Sequence, residues 1–282
     1  MVCDRVSPGS VLEQGAERAD LFPAQAWSTL AAMCLIGFAF QTHPVYTLVI
    51  AANRDEFFSR PTAFSRWWQH PPMLAGQDLQ AGGTWLGTDR SGRIAALTNF
   101  RDPRRTRQDR RSRGELPVGF LANTQTAEQY IRALRPKARE YNDFNLLLGD
   151  QTGLWCYESR VDLLSQITPG IHAISNGPLD AHWPKMEKLK TGMKQALDSD
   201  QALFALLADP QTAPLNELPD TGIGQEWELL LSSSFISSPL YGTRASTLLT
   251  MNKSGHIRWT ERSFSQQGLI QTIHHEFMQE PA

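Results

Sequence analysis

The sequence predicts an α+β protein in which antiparallel sheets are covered by helices. Four pairs of β-rich runs are each joined by a short turn-forming string. Segments with helical apolar spacing fall between those pairs instead of alternating with single strands. Parallel crossovers, which need a dozen or more connecting residues, are not evident.

The elements follow in chain order. Residues 34–40 and 45–51 are β-rich runs joined by Gln41-Thr42-His43-Pro44, and residues 84–88 and 93–100 flank Asp89-Arg90-Ser91-Gly92. A helix is expected over 126–135, with Ile131 and Leu134 on one side. Residues 144–149 and 154–158 flank Asp150-Gln151-Thr152-Gly153, and 171–175 reads as a further strand. Residues 183–197 carry Met186, Leu189, Met193 and Leu197 at three- and four-residue steps, with Pro184 in the first turn, where proline is tolerated. Another short helix is expected over 200–207. The last hairpin pairs 245–251 with 256–264 across Asn252-Lys253-Ser254-Gly255. No linker interrupts the chain after residue 33, so 33–282 reads as one domain.

Residues 1–32 differ from the rest. Asp4, Glu13, Glu17 and Asp20 are mixed with Gly, Pro and Ser, without a basic start or the apolar run of a secretory signal. The segment reads as an overlong gene start, a removable pro-segment or a disordered tail, the first being favoured. Cys3, Cys34 and Cys156 form no disulfide framework or metal-ligand spacing, which points to a reducing cytoplasm. Hydrophobic content of 41%, charged content of 20% and a net charge of -2 are ordinary for a globular protein. They give no global pull toward nucleic acid or membrane, and no stretch has the length of a membrane span.

Two strings stand out: Met33-Cys34, opening the first strand, and Asn53-Arg54-Asp55-Glu56 after the second. A cysteine that becomes the first residue carries a nucleophilic thiol beside a free α-amine, whose ordinary pKa of about 7.7–8.0 makes it a base near neutral pH. A buried strand cysteine is otherwise commonly inert. The polar string reads most simply as a turn reaching solvent or a helix start. In the functional reading Asp55 orients the cysteine, while Arg54 lowers the thiol pKa or holds a substrate carboxylate. Asn99 and Asn176 mark strand ends, and either amide can serve as an oxyanion donor. Arg244 opens a buried-looking strand and needs a partner, such as Asp55, Glu56 or a bound substrate. Seven arginines crowd residues 101–113. They read as a solvated loop or an anion clamp, and without interleaved aromatics base stacking is not indicated.

Together these residues resemble the NRDE family, also called the transport and Golgi organization family. The resemblance rests on Met33-Cys34, Asn53-Arg54-Asp55-Glu56-Phe57, Ala81-Gly82-Gly83-Thr84-Trp85-Leu86-Gly87, Leu97-Thr98-Asn99-Phe100-Arg101, Ser175-Asn176-Gly177 and Tyr241-Gly242-Thr243-Arg244. That family is similar to N-terminal nucleophile hydrolases of the choloylglycine hydrolase and penicillin V acylase type. The resemblance implies a four-layer αββα sandwich and metal-free amide or thioester cleavage, or acyl transfer. It implies catalytic roles for Cys34, Arg54, Asp55, Asn99, Asn176 and Arg244. Asn53, Glu56, Trp85 and Arg101, from the same strings, are assigned to substrate contact. One feature departs: the related enzymes carry their early arginine a few residues before the aspartate, whereas Arg54 immediately precedes Asp55. The enzyme reading expects no cofactor and a small acyl substrate, with an anion such as an acyl-coenzyme A at the arginine-rich loop. The alternative is a non-catalytic carrier of haem or a lipid-like ligand, with His43, His70 and Cys34 as possible haem ligands. Nucleic acid is not an expected partner.

Overall fold

A computed structural model of the chain describes residues 33–281; the expectation for residues 1–32 lies outside the described residues. The strands are β1 (Met33–Phe40), β2 (Tyr46–Phe57), β3 (Thr62–Trp67), β4 (Leu74–Asp78), β5 (Leu86–Thr88), β6 (Ile94–Asn99) and β7 (Phe144–Asp150). They continue as β8 (Gly153–Glu158), β9 (Leu163–Gln166), β10 (Gly170–Ile174), β11 (Tyr241–Asn252), β12 (His256–Ser265) and β13 (Gly268–Met278). The helices are α1 (Glu115–Leu121), α2 (Ala127–Leu134), α3 (Pro184–Ala196), α4 (Asp200–Leu207) and α5 (Gln225–Leu230).

The four expected hairpins form, as β1/β2, β5/β6, β7/β8 and β11/β12. They are completed into two antiparallel sheets, ordered β10-β1-β2-β11-β12-β13 and β3-β4-β5-β6-β7-β8-β9. Because strand side chains alternate, each sheet presents two apolar faces here. Ile36, Phe38, Ile50 and Leu249 of one sheet meet Leu74, Leu86, Ala96 and Leu147 of the other in the central layer. On one outer face Leu116, Phe120, Ile131 and Leu134 of α1 and α2 cover Leu97, Leu146 and Leu148. On the other, Met186, Leu189, Met193 and Phe204 of α3 and α4 cover Leu35, Val49, Ala51 and Leu248. The architecture is the four-layer αββα sandwich of antiparallel sheets.

Local signals account for the helix positions. Thr126 and Gln129 form a reciprocal capping box at the start of α2, and Ser199 accepts from the Ala202 amide at the start of α4. Helix α3 approaches β1 closely because residue 37 is glycine. A Cβ there would lie 2.6 Å from the Met193 sulfur and 2.7 Å from a Leu189 methyl. No helix among the described residues is long and apolar enough to cross a membrane.

The largest departure from expectation is at Asn53-Arg54-Asp55-Glu56. The string is neither a solvent-reaching turn nor a helix start; it continues β2 and is buried throughout. The string stays extended because β1 and β11 pair its backbone on both sides, with Cys34 opposite Arg54 and Thr243 opposite Asp55.

Candidate active site

Alternation along β2 splits the polar string between two layers. Leu48, Ile50 and Ala52 belong to the central layer, so Arg54 and Glu56 continue that face. Val49 and Ala51 face the helices, and Asn53 and Asp55 follow them. Cys34 lies in the central layer directly across from Arg54. The adjacency of Arg54 and Asp55 therefore puts the arginine, not the aspartate, on the same side as the sulfur.

A cavity of about 590 Å³ opens on the central-layer face. Cys34, Arg54, Glu56, Trp85, Asn99 and Arg244 all contribute to its wall, although they come from five separated stretches of chain. Asn53, Asp55, Asn176 and Arg101 do not. Seven arginines line the cavity (Arg54, Arg60, Arg107, Arg110, Arg111, Arg113 and Arg244), against three carboxylates (Glu56, Asp78 and Glu261). Four of the seven arginines of the arginine-rich loop, Arg107, Arg110, Arg111 and Arg113, thus line the cavity. The other three are tied down: Arg101 pairs with Glu228, Arg104 with Asp102 and Arg105 with Asp143. Gly83, in the wall, meets Gly114 at the start of α1 so closely that a Cβ would lie 2.4 Å from the Gly114 carbonyl carbon.

The individual environments assign distinct work. Burial pushes the Cys34 thiol up; Asp55 adds to this, and Arg54 opposes it. With Met33 attached, the sulfur is a neutral thiol at pH 7. Arg54 Nη2 lies 3.5 Å from Glu56, while its buried Nη1 has no hydrogen-bond partner among the described residues. Arg244 is the extra residue of a β-bulge between Thr243 and Ala245, which turns its side chain onto the cavity. Its expected carboxylate partner is replaced by backbone. Nη1 donates to the carbonyls of Phe57 at 2.8 Å and Arg60 at 3.1 Å.

Asn99 ends β6 in the cavity wall, whereas Asn176 sits behind it and donates to the Asn99 carbonyl at 2.8 Å. Of the two expected oxyanion donors, the structure thus brings Asn99 to the cavity and uses the Asn176 amide to fix it. Asn53 lies away from the cavity. Its Nδ2 donates to the carbonyls of Leu207 and Ser234, and its Oδ1 accepts from Ser246. Arg101 also lies away from the cavity: it is buried, pairs with Glu228 at 3.2 Å and stacks over Trp183.

Asp55 faces the helix layer. Its Oδ1 accepts from Thr243 at 2.7 Å, and its buried Oδ2 has no partner among the described residues. Burial pushes its carboxyl up to about 6, with Lys185, Thr243 and Arg54 pulling it back. Lys185 was absent from the sequence expectations. It is buried, donates to the Leu231 carbonyl at 2.9 Å, and is lowered to about 8 by burial, Asp55 opposing. The available signal was its position on the apolar stripe of α3, four residues before Leu189. Glu261 was also missed; this buried cavity carboxylate accepts from the Ser65 amide at 2.9 Å, and burial raises it.

The chain matches the model of the family described as Transport and Golgi organisation 2 over residues 33–266. It is 34% identical over 263 residues to the human Transport and Golgi organization protein 2 homolog, covering 84% of this chain and 95% of that protein. The mouse homolog is 33% identical over 257 residues, covering 82% and 93%. Among solved structures, the chain is similar to a mutant conjugated bile acid hydrolase from Clostridium perfringens. That similarity has a TM-score of 0.45 and 9% identity, covering 89% of this chain and 98% of that one.

Proposed function

The chain belongs to the Transport and Golgi organisation 2 family, and from that premise we propose that it acts as a cysteine hydrolase or acyltransferase of the N-terminal nucleophile type. Freed of Met33, Cys34 gives its thiol proton to its own α-amine and attacks an amide or thioester carbonyl, with Arg54 beside the forming thiolate. Asn99 donates to the oxyanion, at a typical value of about 3 kcal/mol. The amine returns the proton to the leaving group, and water or another acceptor releases the acyl group. The arginine rim suits an anionic acyl donor, such as an acyl-coenzyme A. A reducing, cytoplasmic setting belongs to the proposal, since Cys34 is a free thiol.

The observation that carries this reading is the convergence of Cys34, Arg54, Asn99 and Arg244 on one cavity. Protein from its native host is tested by intact mass and by trapping with an electrophilic amide or thioester probe. A chain beginning at Cys34 that forms an acyl adduct, lost in Cys34→Ala, is the expected result. Full turnover by Cys34→Ala, or a blocked Cys34 in active protein, overturns the assignment.

One observation favours a second reading, a non-catalytic carrier of an anionic lipid-like ligand: the seven-arginine wall surrounds a thiol that burial keeps protonated. Haem is the poorer fit to such a carrier. Among the described residues no histidine lines the cavity, and His43 pairs with Asp198 at 3.0 Å. The carrier reading expects a co-purifying anion and no acyl adduct.

A further inference from the structure

The cavity wall holds two unmatched charges of opposite sign. Of its three carboxylates, two already have cations: Glu56 lies 3.5 Å from both Arg54 and Arg60, and Asp78 lies 2.7 Å from Arg60. Glu261 is different. It is buried, and the groups that offset its burial are an amide and hydroxyls, with no cation among them. The Ser65 amide donates to it at 2.9 Å, and the Thr247 and Ser263 hydroxyls reach it only at 3.4 and 3.5 Å. Oε2 has the long Thr247 contact alone and lies at the wall, since a Cβ on Gly76, itself a lining residue, would be 3.9 Å from it. The opposite deficit belongs to Arg54 Nη1 and Arg244 Nε, which are buried without a hydrogen-bond partner among the described residues. Sheet register sets the span between the two regions. Arg54 stands opposite Ala245, and Glu261 opposite Thr247, on the strand β11 that separates β2 from β12. Two strand spacings and two residues of rise put the Arg54 and Glu261 Cα atoms roughly 12 Å apart on the central-layer face.

We propose that Glu261 is a specificity-determining residue that receives the ammonium of a zwitterionic ligand, whose anionic group is held by Arg54 and Arg244. A buried carboxylate without a counter-charge is costly, and burial raises the Glu261 carboxyl accordingly. An ammonium at Oε2 supplies the missing charge and a charge-assisted hydrogen bond. A plain anion satisfies the arginines but leaves Glu261 uncompensated. A plain cation meets a wall in which arginines outnumber carboxylates and is repelled. One molecule carrying the two charges at opposite ends answers both deficits. The assignment rests on the reading of the arginine wall as an anion site, common to the hydrolase and carrier proposals. It narrows the ligand from any anion to one that also bears a primary amine.

The test is isothermal titration calorimetry of the full chain with aminoethyl through aminooctyl phosphate, against the matching alkyl phosphates that lack the amine. Neither series has a carbonyl, so acyl transfer at Cys34 does not enter the result. Wild type is expected to bind the best-fitting amino compound about tenfold more tightly than its amine-free counterpart. In Glu261→Gln, which keeps the shape and removes the charge, that preference is expected to vanish while alkyl phosphate binding persists. Glu261→Asp keeps the charge and withdraws it by a methylene, so its preferred chain is expected to lengthen by one carbon. No amine preference at any length in wild type, or an undiminished preference in folded Glu261→Gln, overturns the role of Glu261. Should the glutamine variant fail to fold, the aspartate variant decides, and an unchanged best length there refutes the assignment. Failure of both series to bind removes the anion-site reading together with this one, whereas equal binding of the two series removes only the part of Glu261.

Discussion

The two faces of β2 between Asn53 and Glu56 use the same kinds of side chain for opposite ends. On the helix face, Asn53 meets two carbonyls and a hydroxyl and Asp55 Oδ1 meets Thr243, so these groups stitch β2 to β11 and the helix layer, although Asp55 Oδ2 has no partner among the described residues. On the cavity face, Arg54 keeps a buried nitrogen without a partner among the described residues, beside a cysteine and within a wall dominated by arginines. A saturated buried polar group stabilises a fold, whereas an unsatisfied one costs stability and is available to a ligand. The two faces should therefore answer differently to mutation.

The largest effect is expected from Asn53→Ala, which strands the Leu207 and Ser234 carbonyls and the Ser246 hydroxyl. We expect a loss of about 3–4 kcal/mol in urea unfolding. A loss below about 1 kcal/mol would show that the helix face is not structural in this sense. Next comes Asp55→Asn, read as a pH difference. Because burial raises the folded carboxyl to about 6 from its ordinary 3.8, the native state binds the extra proton between those values. Wild type therefore loses up to about 3 kcal/mol as pH rises from about 4 to 6, and then levels off. The asparagine variant should lack that decline; parallel stability curves for the two proteins would remove the argument. The smallest stability effect is expected at Arg54→Met, about 1 kcal/mol or less in either direction, since the arginine is poorly paired. Alkylation of processed Cys34 by iodoacetamide should nonetheless fall about tenfold as the thiolate loses its cation. A larger stability loss with unchanged alkylation would make Arg54 structural too.

The sequence made much of this legible because hairpins announce themselves twice, by alternation and by turn residues. Strands β1, β2, β5 to β8, β11 and β12 had both signals. Strands β3 and β4 did not: β3 carries Ser65 and Arg66 at its centre, and β4 contains Gly76 and Gln77. Strand β13 mixes histidine, glutamine and glutamate on an exposed sheet edge, where burial alternates only between exposed and half-buried and imposes no apolar face. The site was half legible. Residue types at Cys34, Asn99 and Arg244 were informative in themselves, but the faces of Asn53 and Asp55 depend on β2 continuing through a charged string. Local propensity argued against that continuation, and pairing on both sides imposed it. Arg101 was grouped with a solvated loop because its partner, Glu228, lies far along the chain.

The bulge at Arg244 has a consequence for how this scaffold tolerates change. A single inserted residue acts as a phase shift: on one side of it Thr243 accompanies Asp55, and on the other Ala245 accompanies Arg54. Deleting that residue would restore strict two-residue rhythm and rotate everything on one side of it by half a repeat. Either Thr243 would swing away from the aspartate or the remainder of β11 would invert against both its neighbours. Point replacements of Arg244 are therefore a different kind of perturbation from its excision, which would scramble the sheet's inside and outside.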